Sequence, residues 1–369
     1  MKVTSTTLAR LRLLSQRLIG AQNLSTQAPG DSSSSKTVDN PVELARWMLA
    51  MQGQDLPGVL LSLGLRMRKP ALWAVRQAFD TGALVRSWPM RGTLHVCAPE
   101  DLGWILSLTG ERIITSMTTR HRELSITSSD LAEARDIAIA ATGSSGLSRE
   151  ELLARFSAQG QSVEGQRGIH LLGSLCMQGH LVQGPLRGNK QLFVASAEWI
   201  RSPRTLSREE ALAEFVLRYF RSHGPATLSD FCWWTKLPLK DARLGLAAVR
   251  GELAVVESGG QEYFLNPVLL DAPVAGARSV LLLPGFDELL LGYADRSAAL
   301  EAEYAPRIVP GNNGVFMPTI VHGGKVVGTW RKPPKASADV ELLPFRELSP
   351  AVHRSAELAG ERYRRFLER

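Results

Sequence analysis

The feature that most limits what this chain can fold into is a pattern that occurs three times at unequal spacing: a helical segment ends on a glycine, and an alternating, hairpin-like segment follows at once. The first copy runs from Pro70 to Thr81, then from Gly82 to Cys97. The second runs from Gln166 to Gln178, then from Gly179 to Val194, and the third from Pro238 to Arg250, then from Gly251 to Leu265. Each copy places a leucine (Leu84, Leu181, Leu253) two residues after the glycine. Glycine takes the left-handed conformation that stops a helix, and turn residues between two apolar runs close a hairpin. Further helical periods precede each copy: Val59 to Arg68, Glu150 to Ala158, and the pair Glu209 to Ser222 and Leu228 to Thr235. Helix, helix, hairpin is the order of a winged helix. Unequal spacing excludes a solenoid and suggests tandem units with separate insertions; three unrelated helix–hairpin pairs in an α+β enzyme are the competing arrangement.

The flanks fit a multi-part α+β chain. Thr7 to Gly20 has helical periodicity, Ser25 to Asn40 is a polar loop, and Pro41 to Met51 reads as a helix with Asn40 as N-cap. After Pro273 the texture becomes strand-like, in Ser279 to Glu288, Val315 to His322 and Lys325 to Trp330, with His322 to Lys325 as a hairpin turn. Ser349 to Arg369 is a charged amphipathic helix. The expected units are residues 1–130, 131–203 and 204–272, each with one hairpin, and a β-rich part at 273–369.

Composition narrows the function classes. A hydrophobic share of 44% with 21% charged residues is that of a folded chain. Lys+Arg exceed Asp+Glu by 43 to 36, which favours a polyanionic partner, and arginine suits phosphates and base edges. Cys97, Cys176 and Cys232 are too scattered for a disulfide framework or a metal cage. No apolar run is long enough to span a bilayer and the arginine-studded start has no signal-peptide core, so a cytoplasmic chain is expected.

Individual motifs are ambiguous alone. Gln52-Gly53-Gln54-Asp55 falls where the helix through Trp47 gives way to Pro57, at a helix end or turn whose polar groups can face a groove; a capping or solvated role is the plainer reading. Arg91, Thr93 and His95 alternate along the first hairpin and would line a face that meets DNA, or His95 is a half-buried strand residue and Arg91 a solvated turn charge. Arg187, Asn189 and Lys190 at the second hairpin tip suit phosphate contact. Phe231 to Trp234 offers a stacking platform, although its helical spacing favours core. The adjacent acids Asp287 and Glu288 point in different directions and match no metal signature. A P-loop, a GxSxG elbow, an HExxH and a convincing dinucleotide fingerprint are all missing from the sequence.

Taken together, Arg46 to Pro57, Trp88 to His95, Leu283 to Arg296 and Val327 to Arg331 resemble the tandem winged-helix DNA glycosylase family of azinomycin-resistance and crosslink-repair enzymes. The resemblance spans nearly the whole chain, and the combination is specific where each piece is weak. It implies three winged helices in a C-shape around a DNA channel, a small β-rich C-terminal part, and double-stranded DNA with alkylated bases as the partner. A monomer without metal, nucleotide or other cofactor is expected. Catalysis in the family maps to Gln52 and Gln54 here, in the glutamine form that resembles the self-resistance branch; the middle position, apolar in the family pattern, is Gly53.

Two carboxamides suit one kind of leaving group. Glutamine does not ionise, so neither residue is a general base, and the base to be removed must already be activated. A purine alkylated at N7 or N3 carries a positive charge, and its glycosidic bond breaks towards an oxocarbenium-like sugar without prior protonation. Gln52 and Gln54 would hold the attacking water and aim dipoles at the developing cation, with Asp55 near enough in sequence to raise the water's basicity. With no lysine in the motif, strand cleavage is not expected and an intact abasic site is the product. Bulky adducts and interstrand crosslinks fall within reach of an enzyme that does not fully extrude the base. The competing expectation is a winged-helix transcriptional regulator that binds duplex DNA without releasing a base.

Overall fold

Capping signals in the sequence set many of the helix ends. In the computed structural model, which describes residues 1–20, 40–143, 145–272, 279–332 and 339–368, Asn40 accepts the Val42 N–H at 2.9 Å and Pro41 opens the helix Pro41–Met48. Reciprocal capping boxes start Ser128–Thr142, Arg149–Ala158, Arg208–His223 and Leu228–Thr235. The polar stretch Ser25 to Asn40 lies, up to residue 39, outside the described residues.

Strands follow the helices in the expected order. They are β1 (Ala50–Gln52), β2 (Val85–Met90), β3 (Thr93–Cys97), β4 (Leu181–Arg187), β5 (Lys190–Ala195), β6 (Ala254–Ser258), β7 (Gln261–Leu265), β8 (Val280–Leu283), β9 (Thr319–His322), β10 (Lys325–Arg331) and β11 (Glu341–Pro344). The β2–β3, β4–β5 and β6–β7 hairpins follow the helices Leu72–Asp80, Arg167–Met177 and Leu239–Val249. The chain is thus α+β, with antiparallel pairing throughout the named strands.

The first two hairpins share one sheet, in the order β1-β3-β2-β4-β5, joined where Arg86 faces Gln183. The third hairpin stands alone, and β8 to β11 form a four-stranded sheet in the order β11-β10-β9-β8. The helix Pro350–Glu368 covers that last sheet through Tyr363 and Phe366, which pack with Trp330 and Ile320. The N-terminal helix Ser5–Ser15 buries Leu8, Leu11 and Leu14 with Leu283, Leu289 and Val321, and Val3 N–H donates to Glu257 O at 2.8 Å. The start of the chain therefore packs against its last third.

Three expectations need correction. The helix read through Met51 stops at Met48; Leu49 takes φ +66°, and Ala50 to Gln52 pair with Cys97 to His95 instead. The strand expected from Val315 begins at Thr319, after Pro318, which has no N–H to give a ladder. The run to Glu288 is strand only as far as Leu283; beyond Pro284, Asp287 caps the short helix Glu288–Leu291. Helices Pro99–Ser116 and Ser128–Thr142 add to the expected elements.

A buried ion pair fixes that short helix. Arg66, at the end of Leu56–Leu65, donates to both oxygens of Asp287, at 2.8 and 2.9 Å. Ser62 Oγ donates to the same carboxylate at 2.5 Å and Leu289 N–H at 3.0 Å, and Gln16 Oε1 accepts from Arg66 at 2.9 Å. Removing one member of such a pair strands the other charge in the interior. Asp287→Ala is expected to destabilise the protein by about 3–5 kcal/mol in urea unfolding, and Arg66→Met/Asp287→Leu by much less than the two single losses combined.

Candidate active site

Gln52 ends β1, the edge strand of the five-stranded sheet, so its outward N–H has no strand partner. That N–H donates to Glu288 Oε1 at 2.7 Å, whereas Gly53 N–H turns inward to Leu94 O at 2.7 Å. The Gln52 side-chain oxygen takes a share of the same Gly53 N–H at 3.1 Å, which holds the carboxamide close to its own backbone. Gln54 Oε1 accepts the Leu94 N–H at 3.2 Å, extending the ladder by a side chain. Gln52 is buried and Gln54 exposed, so the motif reaches from the interior to the surface within three residues.

Across the sheet, Gln52 faces His95 and His95 faces Ser87. Directly opposed residues of antiparallel strands share a face, so the three side chains form a row. His95 Nδ1 lies 2.9 Å from Thr93 O; a carbonyl only accepts, so the proton sits on Nδ1 and Nε2 is left as an acceptor. His95 Nε2 and Ser87 Oγ are both buried without a protein partner among the described residues. Burial, reinforced by the Arg91 charge, lowers the His95 pKa to about 4, so the ring is neutral at neutral pH.

Glu288 is the residue that sequence reasoning set aside. Its second oxygen accepts from Trp234 Nε1 at 3.0 Å and lies 3.5 Å from His223 Nε2. Burial by itself would raise the carboxyl's pKa; the neighbouring His223 and the Gln52 N–H outweigh it and hold the group below its ordinary value. The result is a fixed negative charge directly behind Gln52. An acid in the run Leu283-Pro-Gly-Phe-Asp-Glu-Leu-Leu-Leu is a signal, since charge amid buried leucines is rare unless paired. Nothing local to that run tells which strand it reaches.

The other expected residues fall in two places. Arg91, Thr93 and His95 share the first hairpin with the glutamines: Arg91 and Gly92, at φ +56° and +66°, make its two-residue turn, and Thr93 is half-buried. Arg187, Asn189 and Lys190 stand exposed at the second hairpin tip, where Arg187 pairs with Glu151 and Lys190 with Glu150 at 3.3 Å. Asp55 occupies the N-cap of Leu56–Leu65 with its carboxylate folded toward Gly58. Of the aromatic run, Phe231 and Trp234 are core, and Cys232 and Trp233 are half-buried. No helix among the described residues is long and apolar enough to cross a membrane.

Sequence and fold comparisons define the class. Residues 45–366 match the model of the AlkZ-like DNA glycosylases, and the chain belongs to that family. It is therefore a DNA glycosylase, which overturns the transcriptional-regulator alternative. It is 28% identical over 339 residues to an interstrand DNA cross-link repair glycosylase of Streptomyces sahachiroi, an alignment covering 85% of this chain and 89% of that one. The solved structure of the Streptomyces sahachiroi DNA glycosylase AlkZ shares the fold, with a TM-score of 0.76 at 23% identity over 98% of both chains.

Two outcomes follow from the geometry. An ideal Cβ on Gly53 would lie 3.4 Å from Arg86 Cδ and from Val96 Cγ2, ordinary contacts, and the residue's φ is not in the left-handed range. Gly53→Ala is expected to fold with a stability gain of about 0.4–1 kcal/mol by chemical denaturation, because the unfolded chain loses freedom. The unfolded chain protonates His95 near the ordinary 6.5 and the native state only near about 4, so acid favours unfolding between those values. The stabilisation is complete above pH 6.5 and falls as pH drops through the window. Melting temperature measured against pH should therefore decline more steeply from 6.5 to 4 in the parent than in His95→Gln.

Proposed function

We propose that this DNA glycosylase hydrolyses the N-glycosidic bond of cationic alkylated purines, of the N7-alkylguanine type, including bulky adducts and interstrand crosslinks, and leaves an abasic site. The observation that carries the reading is the Gln52 N–H held at 2.7 Å on the buried Glu288 carboxylate, which puts neutral amides in front and a fixed negative charge behind. As the bond to the sugar breaks, positive charge leaves the base and develops at the sugar carbon. A site that is anionic and already organised favours that movement without reorganising water. Both Glu288 oxygens are taken by N–H donors, so this residue acts by charge and position rather than by proton transfer.

Gln52 and Gln54 are assigned the attacking water, Gln52 from the buried end and Gln54 from the exposed end. The His95 Nε2 lone pair, in the same row as Gln52, is assigned a hydrogen of that water, which turns the oxygen lone pair toward the sugar. Arg91 and Thr93 on this hairpin, and Arg187, Asn189 and Lys190 on the second, are assigned to the DNA. The three helix–helix–hairpin segments support a tandem winged-helix arrangement, with units at residues 1–130, 131–203 and 204–272 and the four-stranded sheet in 273–369. The relative's printed role in cross-link repair supports extending the substrates to crosslinks.

The deciding assay incubates the protein with duplex DNA carrying one N7-methylguanine and reveals abasic sites with mild alkali. The parent is expected to release the base, and Gln52→Ala/Gln54→Ala to lose about 10²-fold or more in single-turnover rate. Glu288→Gln is expected to lose about as much while still binding abasic DNA. Full activity in the double alanine variant would remove the glutamines from the site; no base release by the parent from either methylated or crosslinked duplex would overturn the substrate class.

A further inference from the structure

Trp233 lies half-buried on the helix Leu228–Thr235, and guanidinium groups rest on it from two distant parts of the chain. Arg91 Cζ is 4.8 Å from its ring centroid and Arg296 Cζ 4.9 Å. Lys236 Nζ is 5.8 Å from the same ring, and Arg296 also lies 5.1 Å from the Phe316 ring. Among the described residues neither arginine has a carboxylate within 4.0 Å. Arg296 spends only its Nε, on Leu290 O at 2.8 Å, and Arg91 makes no hydrogen bond among the described residues. Arg66 shows the contrast: it is bidentate on Asp287.

Two unpaired cations brought together and half withdrawn from water repel each other and lose hydration. The indole recovers part of that through cation–π attraction. It leaves the terminal amino groups of both guanidiniums unused. Burial lowers the pKa of both groups and the Arg91 charge lowers that of Arg296 further; the more distant carboxylates, Glu288 toward Arg91 and Asp230 and Asp295 toward Arg296, offset only part of this.

The pair is tied to the reaction centre by both arms. Arg91 sits at the turn of the hairpin whose β3 strand carries His95 and pairs with Gln52. Arg296 is bonded to Leu290, within the short helix that presents Glu288. A cationic base would be repelled here, so the ligand is the other part of DNA. We propose that Arg91 and Arg296, steadied on Trp233, form a two-armed clip for a single DNA phosphodiester beside the reacting nucleotide. The clip rests on the glycosylase reading, not on which base is removed.

The test uses the full chain and a duplex with one tetrahydrofuran abasic analogue, which sets the register without base release. Single phosphates around the analogue are replaced in turn by a neutral methylphosphonate, and binding is followed by fluorescence anisotropy at several salt concentrations. At one position the neutral linkage is expected to weaken the parent about tenfold, and Arg296→Gln by no more than about twofold, with the salt slope of Arg296→Gln lower by about one. Arg91→Gln/Arg296→Gln is expected to lose less than the product of the single losses, because both groups serve one phosphate. Arg91→Lys, which keeps the charge and the turn, should recover part of the Arg91→Gln loss. The absence of any such position, full multiplicative losses, or a lowered melting temperature with an unchanged salt slope would overturn the clip. Failure on methylated DNA with the clip intact would indict only the substrate class.

Discussion

The hydrogen bond from Gln52 N–H to Glu288 is the contact on which the arrangement of the site depends. A three-residue edge strand is too short to hold its own register, and its outer N–H groups need a partner other than water once covered. Glu288 supplies that partner from 236 residues along the chain. It is held there because the residue before it, Asp287, is clamped by Arg66 and Ser62, and because its other oxygen is taken by Trp234. Two adjacent acids thus lock two different elements, the helix Leu56–Leu65 and strand β1, to one short helix. The motif Gln52 to Gln54 runs between those elements, so both its ends are fixed by the same turn.

What the sequence revealed follows from the range of the forces involved. Helix ends set by caps were legible because the partners lie within three residues: Asn40 with Val42, Ser207 with Glu210, Thr227 with Asp230. The glycine-to-hairpin transitions were legible for the same reason. Strand β1 was not, because Ala50 and Met51 continue the apolar spacing of the preceding helix and only the free edge of β3, 43 to 47 residues later, draws them into a sheet. The expectation at Gln52 and Gln54 rests on a resemblance and not on their own chemistry. His223 and the roles of Glu288 and Arg296 are not legible in the sequence because they come from tertiary placement; Asp287 and Glu288 are adjacent acids that point in different directions, and that is how they reach two different partners.

On the proposed reading, the sorting of charge around the site is what lets neutral amides suffice. A general base is needed where a proton must be removed to start a reaction, and a cationic leaving group makes that unnecessary. What the reaction does need is a place where positive charge is welcome at the sugar and unwelcome at the base. The buried carboxylate behind Gln52 supplies the first. On the same reading, the guanidinium groups on Trp233 serve the second, since a cationic purine gains nothing from them while the phosphate next to it does.

His95 fits the same scheme by being uncharged. A protonated imidazole in the row with Gln52 and Ser87 would offset the Glu288 charge, and burial, reinforced by the neighbouring Arg91, keeps the ring neutral. Its proton is held on Nδ1 by Thr93 O, the strand residue that directly follows the Arg91-Gly92 turn. The same hairpin therefore sets the position of one arm of the phosphate clip and the protonation state of the residue beside the glutamine. A phosphate drawn onto Arg91 would reduce the field that the guanidinium exerts on His95, so DNA binding and the basicity of Nε2 are coupled through a single side chain.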